Sequence, residues 1–137
     1  MEVTIKRIDE SFGFEAENET GKKITMDANA TFGGNNLGFT PMQLLVAAIG
    51  GCSSIDIVNI LKKQKQNIKS FEIKVDANRE QGKEPSLFTN IHVSYVLTGE
   101  VDLDKAKHAA YLSIEKYCSV AKILEKTATI TYSVKVN

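Results

Sequence analysis

The chain of 137 residues has no tryptophan and only two cysteines, two prolines, two histidines and two arginines. Each scarcity excludes something. Two prolines and no biased tracts leave no linker, internal repeat or low-complexity segment, so a single domain over residues 1–137 is expected. His92 and His108 stand at no recognised ligand spacing, which gives no support to a zinc site, and no cofactor is expected. Seventeen basic residues balance seventeen acidic ones, so no charge excess favours nucleic acid or an anionic membrane as partner. The start, MEVTIKRIDE, lacks a basic segment followed by an apolar one, so no secretory signal is expected. The longest uninterrupted apolar run, Leu44 to Ile49, falls short of the ~20 residues that span a bilayer. The expected compartment is the cytoplasm.

What is present reads as α+β. VTIKRI, SFGFEAE and KKITMDA alternate apolar and polar residues, with a turn at ENETGK, and predict a three-stranded meander. The glycine- and asparagine-rich TFGGNNLGF is a loop. Thr40 then opens a helix as N-cap, Pro41 takes the first helical position and Gln43 completes a capping box. The helix should end near Lys62–Gln64, where KKQKQN places positive charge at the C-terminal end of the dipole. Its apolar residues cover nearly the whole circumference, the mark of a buried helix. So small a domain cannot enclose such a helix alone, which predicts a second subunit.

SFEIKVDANR and LFTNIHVSYVL read as two strands, DLDKAKHAAYLSIEKY as a helix capped by Asp102 or Asp104, CSVAKILEKT as a short helix and ATITYSVKV as a final strand. The order βββ–α–ββ–αα–β predicts helices on one face of antiparallel sheet.

The cysteines, 66 positions apart, read either as small buried hydrophobes or as reactive thiols. Cys52 lies three turns into its helix, beyond help from the dipole, and Asp56 one turn on would oppose ionisation. Gly50 and Gly51 beside it cost about 1 kcal/mol each against alanine, and either chemistry at Cys52 or a closely approaching partner backbone would account for them. Cys118 stands where the SVAKILEK helix begins and can meet its free N–H groups. Only Arg7 and Arg79 could supply a guanidinium to a thiolate. Arg79 continues the parity of Phe71, Ile73, Val75 and Ala77, so an unbroken pleat would aim it at the helix-covered side.

TPMQLLVAAIGGCSSIDIVNIL followed by YCSVAKIL closely resembles the OsmC/Ohr family, more narrowly its YhfA-type branch, with likeness over essentially the full chain. The resemblance implies an intertwined α+β homodimer with long central helices at the interface. It also implies a thiol peroxidase acting on organic hydroperoxides, with Cys52 as peroxidatic and Cys118 as resolving cysteine, recycled by a dithiol of the lipoyl type. The glycine pair would then admit a partner's helix or strand beside the sulfur. Peroxidase members carry a glutamate after the proline that opens the helix, where this chain has Met42. That glutamate helps hold the arginine that stabilises the thiolate, so its loss removes charge-assisted support. Two other readings use the same fold. One is a non-catalytic protein holding an apolar ligand against Met42, Leu45 and Ile49; the other is a thiol redox sensor.

Overall fold

The computed structural model describes all 137 residues, in two compact units, Met1–Leu45 and Val46–Asn137. In the first, β1 (Val3–Arg7), β2 (Phe14–Asn18) and β3 (Lys23–Met26) form the expected antiparallel meander. The turn after β2 is built on Asn18, whose side-chain oxygen accepts from the backbone of Thr20 and Lys22 while Gly21 takes φ of 79°. Phe12 falls outside β2 and packs edge-on against Phe32, with ring centroids 5.4 Å apart. The loop after β3 folds around one buried carboxylate. Asp27 accepts from the backbone N–H groups of Ala28, Asn35 and Leu37 at 2.7, 2.9 and 3.2 Å. Burial raises its pKa, but these three bonds to the charged form outweigh burial and the net shift is downward.

Helix α1 (Pro41–Lys63) starts as the capping box requires: Thr40 N donates to Gln43 Oε1 at 2.9 Å, and Gln43 N donates to Thr40 Oγ1 at 3.3 Å. Lys62 and Lys63 close it. Its most apolar 18 residues have mean hydropathy 1.9, long and apolar enough to cross a membrane, because glycine, serine and cysteine bridge the runs counted separately in the sequence. Here α1 is a core helix on one side only.

In the second unit, β4 (Asn67–Arg79), β5 (Phe88–Glu100) and β6 (Thr129–Val136) form a sheet in the order β4-β5-β6. The antiparallel expectation holds for β4 with β5, but β6 runs parallel to β5. The reason is the crossover between them: α2 (Leu103–Leu112), a π-helical turn (Ser113–Tyr117) and α3 (Ser119–Leu124) carry the chain back along the sheet. Asp102 caps α2, accepting from Lys105 N at 2.9 Å. Ile91, Val93, Tyr95 and Leu97 of β5 alternate inward and form the middle of the core with Ile49, Ile57 and Leu61 of α1.

The buried stripe of α1 is Ile49, Gly50, Ser53, Ile57 and Leu61, so the helix is not enclosed all round. Ala47, Ala48 and Gly51 are exposed, and Ile55 is 72% exposed. Gly50 answers to the chain's own sheet: a Cβ there would lie 3.1 Å from Val75 Cγ2 and 3.5 Å from Ile73 Cγ2. Beside Gly51 there is open space.

Candidate functional site

Both cysteines are free thiols of the second unit, and the fold makes them neighbours. Cys52 sits half-buried in mid-α1. Cys118 is fully buried at the joint between the π-helical turn and α3. Its extended backbone (φ −72°, ψ 102°) makes it the N-cap of α3, and its Sγ accepts from Ala121 N at 3.3 Å, as its position in the sequence predicts. Its own N–H donates to Ser113 O at 2.8 Å, which ties the cap to the turn before it.

A helix N-terminus favours thiolate, yet here it loses to desolvation. Burial pushes the Cys118 thiol up to about 12; the Ala121 N–H pulls the other way, while neighbouring Cys52 and the negative charge of Asp56 add to the rise. Cys118 is therefore a neutral thiol at physiological pH.

Beneath the sulfurs runs a polar network that joins three elements. Tyr95 of β5 donates its hydroxyl hydrogen to Ser53 Oγ at 2.6 Å, and Ser53 Oγ donates to Ile49 O at 2.7 Å. Ser113 Oγ donates to Asp56 Oδ2 at 2.8 Å and lies 3.3 Å from Ser53 O. Sequence reasoning noticed Asp56 but passed over Ser53, Tyr95 and Ser113. A signal was present: Ser53 lies at i+4 from Ile49 and i−4 from Ile57, a hydroxyl inside a buried stripe.

Arg79 lies elsewhere in the second unit. It pairs with Phe88 at the last position of β4, and the register shift there leaves out Thr89 of β5, so the pleat of β4 is unbroken; the guanidinium is turned instead to the following loop. Its side chain is exposed, with Nε 3.1 Å and an amino nitrogen 3.0 Å from Ser86 O. Arg7, in the first unit, is likewise exposed and donates to Ser11 O at 3.1 Å and to Glu10 O. The Arg79 guanidinium is bonded to no thiol.

Of the apolar residues singled out as a ligand wall, Ile49 has no exposed surface and is core, Met42 is half-buried and Leu45 is 42% exposed. An apolar groove of the second unit lies further along α1, about 580 Å³ between that helix and β4, walled by Ile55, Val58, Phe71 and Ile73. No group of three or more His, Cys, Asp or Glu residues is arranged to hold a metal ion.

Comparison with known proteins places the chain among relatives. Residues 33–133 match the family model described as OsmC-like protein. The chain is 39% identical to Protein YhfA of Escherichia coli strain K12 over 99% of its length and 98% of the relative's. It superposes on a crystal structure of a hypothetical protein from Aquifex aeolicus with TM-score 0.81 and 33% identity, covering 99% and 96% of the two chains. An organic hydroperoxide resistance protein from Legionella pneumophila shares the fold, with TM-score 0.74, 16% identity and coverage of 98% and 97%.

Proposed function

This chain belongs to the OsmC-like family, and on that premise we propose that it is a cytoplasmic thiol peroxidase that reduces organic hydroperoxides through Cys52 and Cys118. The observation that carries the reading is the meeting of two free thiols from distant parts of the sequence, one reachable and one buried. The name of the Legionella relative points the same way. Cys52 thiolate attacks the peroxide O–O bond, the alcohol leaves with a proton, and Cys52 becomes a sulfenic acid. Cys118 then displaces hydroxide, giving a Cys52–Cys118 disulfide and water. A dithiol of the lipoyl type restores both thiols by exchange and leaves as its own disulfide.

Cys52→Ser should abolish consumption of tert-butyl hydroperoxide. Cys118→Ser should instead leave a sulfenic acid that dimedone traps. Undiminished consumption by Cys52→Ser would remove the mechanism.

A homodimer belongs to this proposal, because the exposed apolar side of α1 around Gly51 and Ile55 offers a second copy an area to cover. Ile55→Lys should convert a dimer into a monomer in sedimentation, and an unaltered dimer would place the interface elsewhere. The groove walled by Ile55, Val58, Phe71 and Ile73 supports a second reading, a non-catalytic site for an apolar small molecule on that same face. Native mass spectrometry separates the two: a co-purifying apolar ligand together with thiols inert to hydroperoxide would favour binding.

A further inference from the structure

The second half of the cycle has a problem that the geometry itself poses. Cys118 must attack as a nucleophile, yet it is fully buried and stays protonated at neutral pH. Its proton has to go somewhere as the sulfur–sulfur bond forms. The titratable groups acting on it are Cys52 and Asp56 from α1, while Tyr95 from β5 lies close enough to feel its charge. Tyr95 cannot accept the proton, since its own hydroxyl hydrogen is committed to Ser53 and burial holds it neutral. Asp56 is the remaining acceptor.

We propose that Asp56, steadied by Ser113, takes the proton of Cys118 as that sulfur closes the disulfide with Cys52. The inference rests on the cysteine cycle above and adds the group that moves its second proton. Asp56 lies one helical turn beyond Cys52, so both side chains project from the same side of α1. Ser113 Oγ holds Oδ2 at 2.8 Å, and the carbonyl of that same Ser113 accepts the Cys118 N–H at 2.8 Å. One residue therefore fixes both the acceptor and the attacking thiol. No lysine or arginine pairs with Asp56, and Oδ1 accepts no hydrogen bond from the chain. A carboxylate so placed is half free to receive a proton.

In the step itself, the Cys118 S–H bond breaks toward Asp56 while the new S–S bond forms and the S–O bond of the Cys52 sulfenic acid breaks. Asp56 returns the proton to the departing hydroxide, and water leaves. With diamide as oxidant the same transfer serves a different leaving group, the hydrazine nitrogen carried on Cys52.

The test is Asp56→Asn in the full-length protein, followed in single turnovers with tert-butyl hydroperoxide and, separately, with diamide. Formation of the Cys52 sulfenic acid should not slow, because that step does not use the Cys118 proton and the variant removes a charge that opposes Cys52 ionisation. Disulfide closure at pH 7 should slow by about a hundredfold, the low end for a positioned proton acceptor, and dimedone should trap the accumulated sulfenic acid. Closure in the variant should then quicken about tenfold per pH unit, because only Cys118 thiolate remains competent, whereas the parent protein stays nearly flat from pH 6.5 to 8. Ser113→Ala, which keeps the carboxylate and frees it to wander, should give a smaller loss with the parent's pH profile. Closure at the parent rate in Asp56→Asn, or a loss without the steep pH profile, would overturn the proposal. Were hydroperoxide to leave the parent unoxidised while diamide closed its disulfide, the peroxidase reading would fall and the diamide arm would still decide the role of Asp56. Failure of diamide to close a disulfide in the parent would overturn both.

Discussion

The Tyr95 hydroxyl meets Ser53 Oγ at 2.6 Å, a fully buried bond between the middle of β5 and the middle of α1. It satisfies two polar groups in the most apolar region of the chain and fixes the rotation of α1 that presents Cys52, its immediate neighbour. An unmade bond there costs more than a made one gains, because a buried hydroxyl left alone forfeits its water.

Ser53→Ala orphans the phenol, so it should cost about 1–3 kcal/mol in urea unfolding. Tyr95→Phe leaves Ser53 its bond to Ile49 O and should cost less. In the double variant neither orphan remains, so the two losses should not add, and strict additivity would mean that the pair is not coupled.

Stability should fall in alkali, and the sign follows from two raised pKa values. Burial pushes Cys118 from 9.0 up to about 12 and Tyr95 from 10.0 up to about 12. Both stay protonated in the folded chain while the unfolded chain ionises, so their contribution is complete below pH 9 and is lost as pH rises toward 12. Each group should remove about 1.4 kcal/mol per pH unit over its own interval. Cys118→Ala should move the onset of the loss from near pH 9 to near pH 10 in equilibrium unfolding. An unmoved onset would assign the loss to another group.

Gly50 should tolerate a larger side chain only as far as the Val75 methyl can give way. A Cβ at 3.1 Å from Val75 Cγ2 is already tight, and the two γ-methyls of Gly50→Val overfill the gap. The expected loss is about 1–3 kcal/mol, partly recovered by adding Val75→Ala. Full stability of Gly50→Val by thermal unfolding would show that helix and strand are not in close contact.

Asp27 makes the first unit acid-sensitive. Its pKa is held below the ordinary 3.8, so its stabilisation is present above that value and is lost as pH falls through the lowered one. Asp27→Asn replaces one accepting oxygen by a donor facing backbone N–H groups. The loop from Ala28 to Leu37 should then be cut faster by protease at neutral pH, and unchanged cleavage would deny the carboxylate its organising role.

The active-site proposals depend on residues that differ in how far the sequence revealed them. Cys118 was legible as a helix cap because capping is a local arrangement of a residue and the next three. The aim of Arg79 was not, because it ends its strand and bonds to the Ser86 carbonyl of the following loop, a contact that alternation along β4 does not encode. The Ser113–Asp56 bond joins positions 57 residues apart and depends on the π-helical turn that carries Ser113 inward.

By itself the sequence determined every element whose cause lies within a few residues: the meander, the capping box at Thr40 and Gln43, an aspartate cap on α2 and the alternation of β4, β5 and β6. Short-range hydrogen bonding and hydrophobic alternation dictate those. Tertiary structure alone decided that β6 runs parallel to β5, that Gly50 serves the chain's own strand, and that two thiols and one carboxylate become neighbours. Strand direction and side-chain encounters depend on how distant segments share a single core, and hydrophobic periodicity carries no record of which segment lies opposite.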